Sequence, residues 1–353
     1  MFQNETEPPE LSVIVPVHNG AAFLRACLEA VFASEDALYE CIVVDDGSTD
    51  GSAEIARSFA ARVIDLPEGP RGPAYARNRG AEAARGTILF FVDADVVLAP
   101  EALERVASFF RNRSPFSAVF GSYDAHPCVP GVISQYRNLL HHFVHQNGNP
   151  EAATFWAGCG AIRRSAFAAI GGFDEKRFSR PSVEDIELGY RLRAAGYRIR
   201  LDKRLQGTHL KTWELYSLVY TDVACRALPW SRLILQTRNM PDDLNLKVGQ
   251  RASFILAALA CAFLVLSVAR PEWLALSAAA LLGVIAVNRK LYQFFYRRRG
   301  AGFAAACVAL HVLYYLYSGL SYLYAWVEFQ LRRAASVRLI AALRSAARSV
   351  LAR

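Results

Sequence analysis

Short runs of β-branched and aromatic residues, each stopped by a polar or acidic loop and followed by a helical stretch, narrow the folds open to this chain more than any other feature. Candidate strands are 11–17, 40–45, 62–66, 87–92, 117–120 and 197–202. Between the first two, Phe23, Ala26, Cys27 and Ala30 recur at helical spacing within Ala21 to Ala33. Gly51 to Ala61 and Ala74 to Arg85 read as further helices, and Pro67 to Pro73 is too rich in Pro and Gly to be anything but loop. Strands alternating with helices predict a mostly parallel, Rossmann-like sheet covered by helices. Such open sheets bind ligands beyond the carboxyl ends of their strands.

The composition changes after Trp213. Residues 213–250 mix aromatic and basic positions and read as a connector lying against something apolar. Ala252 to Ala269 then runs 18 residues without charge, Trp273 to Val287 15, and Gly300 to Val327 28. A helix rising ~1.5 Å per residue needs about 20 residues for ~30 Å of hydrocarbon. Buried core helices are the alternative, but three apolar segments in succession exceed the polar cover this chain can supply. Expected boundaries are therefore a catalytic domain at 1–212, an interfacial connector at 213–250, two or three membrane helices at 251–327 and a basic amphipathic tail at 328–353.

The net charge of +8 fits this organisation. Arg289, Lys290, Arg297 to Arg299 and the six arginines beyond Gln330 flank apolar stretches, which favours membrane lipids over nucleic acid as partner. The positive-inside rule then places the cluster at 289–299 in the cytoplasm. Gly302 to Val327 is expected to bend near Gly319 as a re-entrant or interfacial element, with three full spans as the competing topology. In the tail, Val337, Ile340, Leu343, Ala347 and Val350 would form an apolar face on the cytosolic surface. Seven cysteines without a Cys-x-x-Cys pair read as reduced, mostly buried thiols on a cytosolic face. Met1 to Glu10 has no signal-peptide character. The expected location is the inner (plasma) membrane, multi-pass, with the catalytic domain cytoplasmic.

The chemistry-bearing residues sit where the candidate strands end. Asp93-Ala94-Asp95 closes the run Thr87 to Val92. Two carboxylates there suit a hard divalent cation that is also held by phosphates, although Asp-x-Asp after a strand also reads as a turn or helix cap. Asp45 and Asp46 follow the second strand, where a carboxylate can accept from a base N–H or ribose hydroxyls; an ordinary turn is equally compatible. His18, after Pro16, could stack on a nucleobase or be structural. Arg71, Arg77 and Asn78 are placed to reach phosphates or base edges, with a solvated loop position open for Arg71. Glu184-Asp185 opens a helix for which Ser182 is a candidate cap and Gly196 the stop. Such acids are commonly only dipole partners, yet Asp185 is also a candidate general base. The preceding loop, with Trp156, Gly158 and Cys159, would line the acceptor.

In this order, Val13-Ile-Val-Pro-Val-His-Asn19, Val43-Val-Asp-Asp-Gly-Ser-Thr-Asp-Gly-Ser52, Ala76-Arg-Asn-Arg-Gly80, Phe91-Val-Asp-Ala-Asp95, Gly171-Gly-Phe-Asp-Glu175 and Glu184-Asp185 resemble family 2 glycosyltransferases of the GT-A fold, over residues 11 to about 210. The resemblance implies an inverting transferase. Asp45 and Asp46 would bind the nucleoside, with His18 against the base. Asp93, Ala94 and Asp95 would meet the donor diphosphate and its Mg²⁺ or Mn²⁺, with Asp95 the direct ligand. Asp185 would be the base, and His209 would complete the metal shell or be structural. A UDP-sugar is the family default donor, and the expected acceptor is a hydroxyl on a lipid-linked or cell-envelope glycan. The Gln-x-x-Arg-Trp motif of processive synthases is missing, with His209-Leu-Lys-Thr-Trp213 a distant substitute. Two other functions remain open: a polyprenyl-phosphate glycosyltransferase, and a non-catalytic sugar-nucleotide sensor or membrane scaffold.

Overall fold

The computed structural model describes residues 8–34, 37–66, 69–112 and 114–351, with side chains as far as 335. Strands β1 (Leu11–Val17), β2 (Tyr39–Asp45), β3 (Arg62–Asp65) and β4 (Ile88–Val92) form a parallel half-sheet in the order β3-β2-β1-β4. These are the β-branched runs legible in the sequence. Their registers, Val17 opposite Asp45 and Ile14 opposite Phe91, bring the acidic ends of β2 and β4 to one edge beside the end of β1. Val13, Val15, Phe90 and Val92 are buried against Leu24 and Leu28 of helix Ala21–Phe32 and Val106 of helix Ala102–Arg111. Each such side chain contributes ~1.5–3 kcal/mol on leaving water.

Beyond β4 the sheet departs from the parallel pattern. It continues through β8 (Cys159–Arg163), β6 (Ala118–Tyr123), β9 (Ile199–His209) and β5 (Val96–Leu98), while β7 (Glu151–Ala152) pairs with β9. β8 runs antiparallel to both β4 and β6, and β5 antiparallel to β9, so the sheet is mixed. The cause is local. The backbone N–H of Val96 donates to the carbonyl of Asp93 at 3.0 Å, and this tight turn takes the chain out of β4 at once. β5 therefore finds its partner in β9, not beside β4.

The chain divides into two units. The first holds the described residues up to Ser217 together with Pro241–Lys247 and Arg289–Cys307; the second holds Leu218–Met240, Val248–Asn288 and the residues from Val308. In the second unit the expected connector is helical, with a π-helical stretch Thr221–Ala227 leading into helix Leu228–Thr237. Helices Val248–Leu266 and Arg289–Ala335 are long and apolar enough to cross a membrane by length and composition, whereas the apolar helix Trp273–Val287 is shorter. Side chains such as Ile255, Val265 and Leu282 stand exposed on them.

A small polar cluster lies among these apolar helices. The Asn288 amide donates to Ser253 Oγ at 2.9 Å, and the Tyr315 hydroxyl donates to Asn288 Oδ1 at 2.8 Å while lying 3.0 Å from Gln250 Oε1. The expected bend near Gly319 is not found. The helical run Arg289–Leu351 breaks instead at Gly300, where φ is 82°, a left-handed conformation that glycine adopts without a Cβ penalty. Gly319 stays helical, and the Phe254 ring fills the space its Cβ would take. The apolar face expected of Val337, Ile340, Leu343, Ala347 and Val350 lies outside the described side chains, as Met1 to Glu7 lie outside the described residues.

Candidate active site

Two loops close the edge where β1, β2 and β4 end. Asp45 Oδ1 accepts from the backbone of Ser48 at 2.8 Å, and the Asp46 carboxylate accepts from the backbones of Arg71 (2.9 Å) and Gly72 (2.7 Å). Both acids are buried. Gly47, at φ 73°, lets the second loop approach: a Cβ there would meet the Gly69 backbone at 2.9 Å. His18 is exposed, with Nδ1 2.9 Å from the carbonyl oxygen of Asp46. Pro16 pairs with Val44 one step inside the edge. Arg71 is exposed and stacks on Tyr75 at 3.8 Å. Pro16, His18, Asp45, Asp46 and Arg71 thus share one corner.

Arg77 and Asn78 do otherwise. Asn78 donates to the carbonyl of Phe173 (2.9 Å) and to Glu175 (2.7 Å) and accepts from the Phe173 backbone (2.9 Å). Its amide is spent on bracing the Gly171-Gly172 turn, which corrects the expectation that it reaches a donor. Arg77 is buried and donates to Asp93 at 2.7 Å and to Glu184 at 2.8 Å. It faces acids and not the open edge.

Glu184 and Asp185 begin helix Glu184–Ala194. The cap is not Ser182, as expected: its backbone N–H donates to Glu184 Oε2 at 2.9 Å, and Val183 takes the cap position without a side-chain bond. Gly196, at φ 84°, follows the helix end as expected. With Arg77 and Ser182 on its two oxygens, Glu184 positions its neighbours. Asp185 Oδ2 accepts from the Ala157 backbone at 3.1 Å. Burial, then the adjacent Glu184 charge, push its carboxyl from the ordinary 3.8 up to about 7, against the opposing pull of Arg77. Burial and nearby Asp95 and Glu184 also raise Asp93 in spite of the guanidinium. Burial and neighbouring negative charge thus disfavour ionisation at both Asp93 and Asp185.

Asp95 belongs to a second cluster. Val96 pairs with His209 across β5 and β9, so His209 Nε2 comes to 3.3 Å from Asp95 Oδ2. Burial raises the Asp95 carboxyl, but the facing His209 ring and the nearby Lys211 ammonium outweigh it and hold it below the ordinary value. The His209 ring stacks on Tyr123 at 4.5 Å and 14°, and Nδ1 lies 2.8 Å from Asn138 Oδ1. Ala94 forms the turn between the two acids. Among the described residues no three His, Cys, Asp or Glu side chains are grouped to hold a metal alone. The 3.3 Å gap between Asp95 and His209 is near the ~3 Å between adjacent ligands of an octahedral ion at ~2.1 Å, so the pair fits a divalent cation.

The acceptor-side expectation divides. Trp156 is partly exposed and packs on Tyr123 and His141 at 5.0 and 4.7 Å. Gly158 leaves room for that indole: a Cβ would meet its ring at 2.6 Å. Cys159, however, is fully buried in the hydrophobic core, which raises its thiol pKa, so it does not line an acceptor site.

Sequence reasoning missed Tyr123, Asn138 and Lys211. A signal existed for Asn138: Ser134, Asn138, His141 and His145 follow one another at helical spacing on helix Val132–Gln146. Ser134 bonds the Trp213 backbone and Asn138 meets His209, while His145 Nδ1 is 2.9 Å from the carbonyl of Gly121.

Comparison with known proteins finds glycosyltransferases among the relatives. Validoxylamine A glucosyltransferase from Streptomyces hygroscopicus subsp. jinggangensis (strain 5008) is 30% identical over 245 residues, covering 58% of this chain and 57% of the relative. The PGL/p-HBAD biosynthesis glycosyltransferase of Mycobacterium bovis (strain BCG / Pasteur 1173P2) is 38% identical over 118 residues, covering 32% and 46%. The chain thus spans about half the length of the curated relatives it matches. Mannosyltransferase PcManGT from Pyrobaculum calidifontis, solved in complex with GDP-Man and Mn²⁺, shares the fold with a TM-score of 0.50 at 19% identity, covering 90% of this chain and 88% of that one. Asp185 and His209 lie beyond the segment matched by the family model, and their place comes from the geometry alone. The model of glycosyl transferase family 2 matches residues 12–171, so this segment carries a glycosyl transferase family 2 domain, on a GT-A fold.

Proposed function

We propose that the protein is a membrane-associated, inverting glycosyltransferase that moves a sugar from a nucleotide diphosphate sugar to a hydroxyl acceptor. The observation that carries this reading is Asp185, a carboxyl at the start of helix Glu184–Ala194, held by the Ala157 and Ile186 backbones and pushed by burial and Glu184 up to about 7. A base in that range takes a proton efficiently near neutral pH. Asp185 accepts the proton of the attacking hydroxyl, its carboxyl held by the backbone N–H groups of Ala157 and Ile186. Asp45, Asp46 and His18 hold the nucleoside, and Trp156 offers a flat apolar face to the acceptor.

Asp95 and His209, with Asp93 behind them, would hold Mg²⁺ or Mn²⁺, which when bound offsets charge on the departing nucleoside diphosphate. The apolar helices support association with the inner (plasma) membrane, and a cytoplasmic catalytic unit would meet nucleotide sugars there. A lipid-linked or cell-envelope glycan is then the accessible acceptor class, and a UDP-sugar is the first donor to try.

The test is a panel of nucleotide sugars offered to detergent-purified protein with Mn²⁺ or EDTA, read by thermal shift and by product formation. At least one donor should stabilise the protein only with Mn²⁺ present. If no donor does so, the reading fails. Transfer to polyprenyl phosphate at the full rate by an Asp185→Asn variant would instead identify a phosphate acceptor.

A further inference from the structure

We infer that Asn138 is a positioning residue that fixes the tautomer of His209, leaving Nε2 free as a lone-pair donor toward a divalent cation at Asp95. The inference rests on the proposed cation site and names the residue that prepares it.

Asn138 is buried, and its side-chain oxygen lies 2.8 Å from His209 Nδ1. A carbonyl oxygen cannot donate, so that contact is a hydrogen bond only when Nδ1 carries the proton. The other half of the Asn138 amide, Nδ2, is buried with no partner among the described residues. A buried unpaired N–H costs ~1–3 kcal/mol, so the side chain is not there to satisfy the fold. Its one hydrogen bond goes to His209. The Tyr123 ring, stacked at 4.5 Å and 14°, sets the plane of the imidazole, and Asn138 sets which nitrogen is protonated.

With its ring proton on Nδ1, His209 turns the Nε2 lone pair toward Asp95 Oδ2 at 3.3 Å. A charge-assisted N–H···O⁻ bond would be ~2.7–2.9 Å. The observed gap exceeds that range and approaches the spacing of two ligands on one ion. Ligating histidines generally donate their second ring N–H to a nearby acceptor, and losing that acceptor typically costs 10–100-fold in metal affinity.

The test uses the whole chain in detergent, with Mn²⁺ and either UDP or GDP as probes. In metal-free protein, ¹⁵N-histidine NMR should show the His209 signal, identified by its loss in His209→Gln, as the Nδ1–H tautomer. Asn138→Leu removes the acceptor and should weaken Mn²⁺ binding about 10–100-fold. Asn138→Asp keeps an acceptor and should bind Mn²⁺ at least as tightly as wild type. An Nε2–H tautomer in wild type, or unchanged Mn²⁺ affinity in Asn138→Leu, overturns the inference even when His209→Gln loses the metal. Unchanged Mn²⁺ affinity in His209→Gln refutes the cation site itself. The wild-type spectrum decides the tautomer even if a variant folds poorly.

Discussion

Replacing Asp185 with Asn separates what this carboxyl costs the fold from what it gives the reaction. In the folded protein it ionises at about 7 and not at the ordinary 3.8. Between these values the folded chain keeps a proton that the unfolded chain has released. The resulting stabilisation is full below 3.8 and is lost as pH rises through about 7. At about 1.4 kcal/mol per pH unit, the whole window is worth up to ~4 kcal/mol.

Two features lower what Asn can recover at pH 8. Asp185 is only partly enclosed, and its two oxygens accept from the backbones of Ala157 and Ile186, whereas an amide has one oxygen to offer. A gain of about 1–2 kcal/mol remains, or several degrees in Tm for a unit of this size. Thermal melts from pH 4 to 8 should show the variant more stable than wild type at pH 8, with the gap closing toward pH 4. Transfer should fall 10²–10⁴-fold with donor affinity unchanged, and wild-type turnover should rise with pH up to about 7. A variant no more stable at pH 8 than at pH 4, relative to wild type, would refute burial as the cause of the raised value. A variant with full transfer to a hydroxyl would refute the base.

Arg77→Met leaves Asp93 and Glu184 without their buried counter-charge and should cost about 3–5 kcal/mol, read by urea unfolding of the first unit at pH 7.5. A loss under 1 kcal/mol would show, by the same argument, that water already serves these acids. In the second unit, Gly319→Leu puts a side chain where the Phe254 ring lies and should lower the melting temperature in detergent; Phe254→Ala in the same chain should restore part of the loss.

β1, β2, β3, β4, β6 and β9 were legible in the sequence, β1, β2 and β4 most plainly because they are mostly apolar runs, as strands buried on both faces are. β5 escaped because it has only three residues, Val96–Leu98, too few for a periodicity. β8 escaped because Cys159-Gly160-Ala161 is small-residue sequence: at Gly160 a Cβ would meet the Phe155 ring at 2.7 Å, so packing forbids the bulky residues that announce a strand. The site divides in the same way. Asp93, Asp95 and Asp185 are visible as acids at the ends of elements. The Asn138 contact with His209 joins residues 71 apart in the chain, and only the pairing of β5 with β9 brings Asp95 to the same place. Asn78 misled because a buried amide bracing a turn and an exposed one reaching a ligand are written with the same letter.

The polar cluster of Ser253, Asn288, Tyr315 and Gln250 fixes the longitudinal register of the apolar helices. Wholly apolar helices can slide past one another by a turn, ~5.4 Å, and exchange one set of van der Waals contacts for another of nearly equal worth. Here such a slip would strand an amide and a hydroxyl together. In the proposed bilayer setting no water is at hand to replace the lost partners. Helices Val248–Leu266 and Trp273–Val287 can therefore be assembled as a hairpin first, and Tyr315 of the last helix has one level at which to lock. A copy seated one turn out of place would keep an amide and a hydroxyl unpaired in that setting, and the cost of those lost bonds selects the correct seating.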